Sequence, residues 1–182
     1  HHPVYSNGVH GGKYSWKQYL FPFTDINPKL YIPLPGVGSL YPLIRQGLGL
    51  KQDLDNEEYK SMTSSILAAV GRDKKDVVFV SGHDKSLQHL EANGQHFVVS
   101  GTGSETAYVR NGGKAVYTCS ILGYAQLDYM KDGALWLKFI DEFDEEIYRK
   151  ELVKPRVSLG ELSTEFGQTF PDSIEFAAHD GY

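Results

Sequence analysis

Seven histidines are spread unevenly along the chain, and four of them occur where imidazole chemistry is plausible. His1, His2 and His10 stand in loop-like sequence, with Gly8 before His10 and Gly11-Gly12 after it. His83 follows Val77-Val-Phe-Val80 and Ser81-Gly82 directly, which places it at the carboxyl end of an expected buried strand. Open α/β sheets collect their ligands at that edge. Neutral imidazole on a short rigid loop is a common metal ligand, and its second ring nitrogen usually needs an acceptor behind it. By residue type alone, a histidine after a strand is more often a surface or core side chain than a ligand. Both readings stay open at this point.

The elements that must position these side chains are legible in part. Seven glycines precede Leu50, and six of the eight prolines fall between Pro3 and Pro42, so the first fifty residues are expected to be loops with short helical pieces. Tyr31 to Gly38 should be extended, and a short helix is expected from Ser39. The clearest helix runs from about Asp55 to Val70, with Asp55 as cap, Glu58 completing a capping box and Gly71 ending it. Tyr59, Met62, Ile66, Leu67 and Val70 form its expected apolar stripe. Asn93-Gly94 is a turn signal ahead of the strand Phe97-Val-Val99. Gly123–Met130 and Ala134–Ile140 read as a hairpin joined by Lys131-Asp132-Gly133, with Leu135, Leu137 and Phe139 on one face. Phe143–Val153 offers one more strand, and residues 155–182 read as a tail or interdomain linker.

Composition excludes some functions. The chain has 182 residues, 41% of them hydrophobic, enough for one domain with a core. Its formal charge of −5 argues against a nucleic-acid groove, which needs a basic footprint. No apolar run reaches the roughly 20 residues of a membrane helix. The single cysteine, Cys119, forms no intrachain disulfide and reads as a small core residue. Gly101-Thr-Gly-Ser104 lacks the Gly-Lys-(Ser/Thr) of a phosphate-binding loop, and neither Ser104 nor Ser6 has the Gly-x-Ser-x-Gly setting of a nucleophile. His89 reads as a polar surface residue, His96 as structural and His179 as part of the tail. Glu57-Glu58 is expected on a solvated helix face, and Asp141-Glu142 with Asp144-Glu145-Glu146 in a charged turn.

Taken together, several short segments resemble the calcineurin-like metallophosphoesterases, closest to the purple or tartrate-resistant acid phosphatase branch. Gly82-His83-Asp84-Lys85-Ser86-Leu87-Gln88 is similar to that family's Gly-His-Asp-His-x-Leu-Gln signature. His1-His2-Pro3-Val4-Tyr5-Ser6 resembles its Gly-His-x-Pro-Val-x-Ser segment, and Val9-His10-Gly11 its Glu-His-Gly segment. His96-Phe-Val-Val-Ser-Gly-Thr-Gly103 and Leu122-Gly-Tyr-Ala-Gln-Leu127 are similar to the strands that follow. The likeness covers about residues 1–20 and 77–140.

This resemblance implies an α/β (α+β) fold, part of a four-layer α/β/β/α sandwich with a mixed, largely antiparallel C-terminal sheet. Residues 1–154 would be the C-terminal part of the phosphoesterase domain, with an insertion at about 25–55. It implies phosphoester hydrolysis by two transition metals (Fe, Zn or Mn) acting on a small phosphoester, with His1 and His83 as ligands of one ion and His10 beside the substrate. Lys85 stands where the family has a metal-binding histidine, and a protonated lysine cannot coordinate. It implies either a remodelled metal site or a dead site with Lys85 pointing to solvent. The family's Asp-x-His, Gly-Asp and Gly-Asn-His segments are not found in this sequence. The expectation is therefore an incomplete, inactive half of an enzyme, or a non-catalytic pseudo-phosphatase or binding module on the same fold. The resemblance also implies an exported bacterial protein, periplasmic or outer-membrane associated. A truncated sheet would leave an edge open to self-association.

Overall fold

The structure is a computed structural model, and it describes residues 1–13, 17, 20–21, 29, 31–33, 54, 56–71, 74 and 76–155. The insertion at 25–55, with the short helix expected from Ser39, lies outside the described residues apart from isolated positions. So do the tail beyond Pro155 and His179. The described residues form a mixed α+β fold with one α-helix and two sheets.

The helix α1 spans Glu57–Val70 and begins one residue later than expected, because Asn56 rather than Asp55 caps it. The Asn56 side chain accepts from the Glu58 N–H, so there is no capping box, and Glu57 and Glu58 lie in the exposed first turn. The Gly71 N–H bonds back to the Leu67 carbonyl and closes the helix. The inward stripe differs from the one expected. Tyr59 is buried and Thr63, Leu67 and Val70 are half-buried, whereas Met62 and Ile66 are exposed. Tyr59 sets this rotation, since its hydroxyl donates to the Pro3 carbonyl at 2.6 Å.

Seven strands follow. β1 (Val78–Ser81), β2 (Leu87–Ala92), β3 (Gln95–Ser100) and β4 (Ala115–Cys119) form a sheet of order β1-β3-β2-β4. β1 runs parallel to β3, and the other pairs are antiparallel. β1 was expected to be buried, but among the described residues it has a partner on one side only, and Val80 is 56% exposed. β2, not foreseen from the sequence, pairs with β3 through the Asn93-Gly94 turn, where both residues have positive φ as a type I′ hairpin requires. β5 (Gly123–Tyr129), β6 (Leu135–Asp141) and β7 (Glu146–Val153) form an antiparallel three-stranded sheet. The acidic turn before β7 is ordered by Asp141, whose Oδ1 accepts from the Phe143 and Glu145 N–H groups.

Side-chain alternation sorts the mixed sheet into two faces. Leu90, Phe97 and Val99 face α1 and the N-terminal segment, packing with Leu67, Val4 and Tyr5. Leu87 and Val98 face the other sheet and pack on Leu135, Leu137, Phe139 and Leu152. The half-buried Cys119 packs against that second core, in keeping with its reading as a small core residue.

His89 is fully buried in the core between the sheets, not at the surface as its sequence setting suggested. Being in register with Val98 on β3, it must point the way Val98 points. A hydrogen-bonded chain satisfies it. His96 Nε2 contacts the Leu152 carbonyl at 3.0 Å and must carry a proton to do so, which leaves its Nδ1 as acceptor. His89 Nε2 then donates to His96 Nδ1 at 3.1 Å, and the Tyr148 hydroxyl donates to His89 Nδ1 at 2.8 Å. His89 and Tyr148 are held neutral in this chain. Burial, then the neighbouring His96 and Lys150, pushes the His89 pKa down from 6.5 to about 4. Burial, then Tyr117 and Glu91, pushes the Tyr148 pKa up to about 12.

Between pH 6.5 and 4 the unfolded chain therefore binds a proton at His89 that the folded chain refuses. The sign is a loss of stability as pH falls through that window, levelling off below it, of about 3 kcal/mol in all. Urea unfolding across pH 7 to 4 should show this slope, and His89→Gln should flatten it. Equal slopes for both proteins would contradict the assignment.

Candidate functional site

The loop from Gly82 to Ser86 joins β1 to β2, and its path is fixed by residues of the first thirteen positions. Gly82 donates its N–H to the His1 carbonyl at 2.9 Å. A Cβ at Gly82 would lie 3.3 Å from the His1 ring, so this glycine makes room for the imidazole. The residue that turns the chain is His83 itself, with φ of +66°. That conformation is uncommon outside glycine and marks a position held by its surroundings.

Asp84 holds those surroundings together. Its side chain is buried, Oδ2 accepts the Ser6 hydroxyl, and Oδ1 accepts the His10 backbone N–H at 3.2 Å. Ser6 Oγ in turn accepts from the Gly8 N–H and from Gln88 Nε2. Gln88, fully buried on β2, gives its other amide proton to Ser86 Oγ and accepts the Asn7 N–H through Oε1. A Cβ on Gly8 would lie 2.7 Å from the Asp84 carboxyl carbon, so only glycine admits the carboxylate here. The Asp84 charge acts on Tyr59 as well, whose pKa is pushed up to about 12 by burial first and by Asp84 second.

With the loops locked this way, four imidazoles gather on one side. The ring centroids of His2 and His10 each lie 4.2 Å from that of His83, and His1 lies 5.4 Å from it. The sequence pointed to His1, His10 and His83, and the fold brings all three together. It also adds His2, which the sequence placed in the same loop without a role at the site and which packs edge-on to Tyr59. Asp84, Ser6 and Gln88 were missed as well. Asp84 and Gln88 belong to the Gly82–Gln88 segment that carried the resemblance, so a signal was present for them. Ser6 closes the His1–Ser6 segment of the same resemblance, and what it does there shows in its partner 78 residues away.

An open cleft of about 650 Å³ lies beside the cluster, bordered by His1, Gly82, His83, Lys85, Gly103 and Ser104. Lys85 neither points freely into solvent nor enters the histidine cluster. Its Nζ is 2.8 Å from Glu105 Oε2 on the rim, and both side chains are about half exposed. His96 is structural as expected, and the cleft-side Gly101-Thr-Gly-Ser104 turn is anchored by the Thr102 hydroxyl bonding to the Gly123 carbonyl.

These donors do not amount to a two-metal centre. Among the described residues, no three His, Cys, Asp or Glu side chains are placed to hold a metal ion together. Asp84, the carboxylate next to His83 in the loop, is already engaged by Ser6 and His10. A bridging carboxylate would have to come from elsewhere.

Removing the Asp84 carboxylate takes away the acceptor of the buried Ser6 hydroxyl and of the part-buried His10 N–H. Asp84→Ala should therefore cost about 2–4 kcal/mol, seen as a lower urea midpoint at unchanged slope. A loss below about 0.5 kcal/mol, the range of ordinary surface changes, would refute the bracing role.

Comparison with known proteins adds little to this geometry. No family model matches the chain, and no curated protein matches it. Among solved structures it is similar to GAP50, the anchor in the inner membrane complex of Plasmodium, at 18% identity and a TM-score of 0.44 over 65% of this chain. The match spans 40% of the length of that protein.

Proposed function

We propose that this chain carries the histidine-bearing side of a metal-dependent phosphoester-hydrolysing centre and does not complete that centre with its own described residues. The observation that carries this reading is the gathering of His1, His2 and His10 around His83 at the carboxyl end of β1, next to an open cleft. In this reading His1 and His83 are ligands for a transition metal such as Fe, Zn or Mn. His10 stands on the substrate side. The remaining donors, including a bridging carboxylate, come from residues other than these.

A second reading, a non-catalytic binding module on the same fold, is favoured by Lys85. An ammonium held by Glu105 at the cleft rim offers no lone pair to a cation and repels one at close range. The edge position of β1, with Val80 exposed, supports self-association through strand pairing in either reading.

Zinc titration followed by elemental analysis and p-nitrophenyl phosphate turnover separates these outcomes. We expect weak binding of at most one Zn²⁺ per chain, abolished in His83→Ala, without turnover. Equal zinc binding by the wild type and His83→Ala would remove the ligand role. Two bound metals per chain, with turnover that a chelator stops, would overturn the incomplete centre.

A further inference from the structure

A second cleft, of about 760 Å³, opens between the N-terminal segment and the turn that leads into β4. None of its lining residues borders the histidine cleft. Its floor is Tyr5, Ser6 and Leu90, and its walls carry Lys13, Arg110 and Lys114. Among the described residues no carboxylate lines it, although the chain as a whole carries a charge of −5. Among the described residues none of these three cations is ion-paired, whereas Lys60, Lys85, Lys138 and Arg149 all are.

The backbone around the cleft is arranged in the same sense. Asn7 donates its side-chain amide to the carbonyls of Arg110 and Gly112, at 3.0 and 2.8 Å, and the Arg110 N–H returns a bond to the Asn7 carbonyl. Two carbonyl oxygens that would repel an anion are thereby occupied. Gly112 and Gly113 have positive φ, and a Cβ at either would meet nothing within 4 Å, so the turn leaves open space. Lys114 Nζ lies 4.7 Å from the Tyr5 ring centroid, a cation–π contact that holds the ammonium over the cleft floor.

We propose that this cleft binds a small, multiply charged oxyanion of the pyrophosphate or phosphate-ester class. A guanidinium and two ammonium groups around one concavity match the charge and the several acceptor oxygens of such a group. A long polyanion is disfavoured, because beyond the cleft it would meet a chain of net negative charge. The site is independent of the histidine cluster and does not rest on the hydrolytic reading.

The test is calorimetric titration of the 182-residue chain with sodium pyrophosphate at low and high salt, with inorganic phosphate as the weaker-charged comparison. Saturable one-to-one binding is expected, tighter for pyrophosphate and weakened as salt screens the charges. Arg110→Ala and Lys114→Met should each weaken it by about tenfold, and Lys85→Met should leave it unchanged. In parallel, amide chemical shifts of Gly112 and Gly113 should move with pyrophosphate in the wild type, which reads the site without any variant. No saturable binding, or binding lost in Lys85→Met and kept in Arg110→Ala, would overturn the proposal. Unmoved Gly112 and Gly113 shifts at saturation would do the same.

Discussion

One buried carboxylate decides the shape of the candidate site. Asp84 lies in the middle of the β1–β2 loop, directly after His83, and accepts hydrogen bonds from a hydroxyl 78 residues away and a backbone N–H 74 residues away. A carboxylate taken out of water must be compensated by donors, and here those donors belong to the N-terminal segment. The segment is thus tied to the β1–β2 loop by a requirement of solvation and not by apolar packing alone. Ser6 passes the constraint to Gln88 on β2, and Gln88 passes it to the Asn7 backbone. The gathering of the imidazoles is a consequence of this bracing: His1, His2 and His10 arrive on the same stretch of chain that Asp84 and Gln88 pin down.

The alternation of β2 separates two kinds of polar chemistry. Gln88 and Leu90 point to the N-terminal segment, while Leu87 and His89 point to the three-stranded sheet. On the first face the polar network holds loops and positions a cleft. On the second it runs as a hydrogen-bonded chain from Tyr148 through His89 and His96 to the Leu152 carbonyl, flanked by the stacked Tyr117 and Tyr148 rings. Gln88 on one face and His89 with His96 on the other thus send their hydrogen-bonding groups to opposite sides of one strand pair, and the face of Gln88 and Leu90 borders a cleft.

Charge is distributed with similar selectivity. Lys85 is neutralised by Glu105 at the rim of the histidine cleft, so that cleft presents imidazoles more than fixed cations. The cleft beside the β4 turn keeps Lys13, Arg110 and Lys114 without carboxylate partners among the described residues. Two concavities on one small domain thus differ in the chemistry they offer, one of titratable rings and one of permanent positive charge.

What the sequence determined by itself was local. The apolar run before Gly82 announced β1, and the Asn93-Gly94 turn with Phe97-Val-Val99 announced β3 but not its partner β2. The alternation of Leu135, Leu137 and Phe139 marked the core strand of the second sheet, and His1, His10 and His83 were marked as chemically notable. Each of these depends on neighbours within a few residues, which is the range over which backbone preference and side-chain period act. The tertiary structure decided the rest. It took Met62 and Ile66 out of the helix stripe and turned Thr63 inward, with Tyr59 bonded to Pro3, put β1 at an edge, buried His89 and recruited His2. It also turned Asp84 from one letter of a short motif into the acceptor on which the site rests. These outcomes depend on partners tens of residues apart, and burial at such a distance is set by the packing of whole elements, which no local pattern encodes.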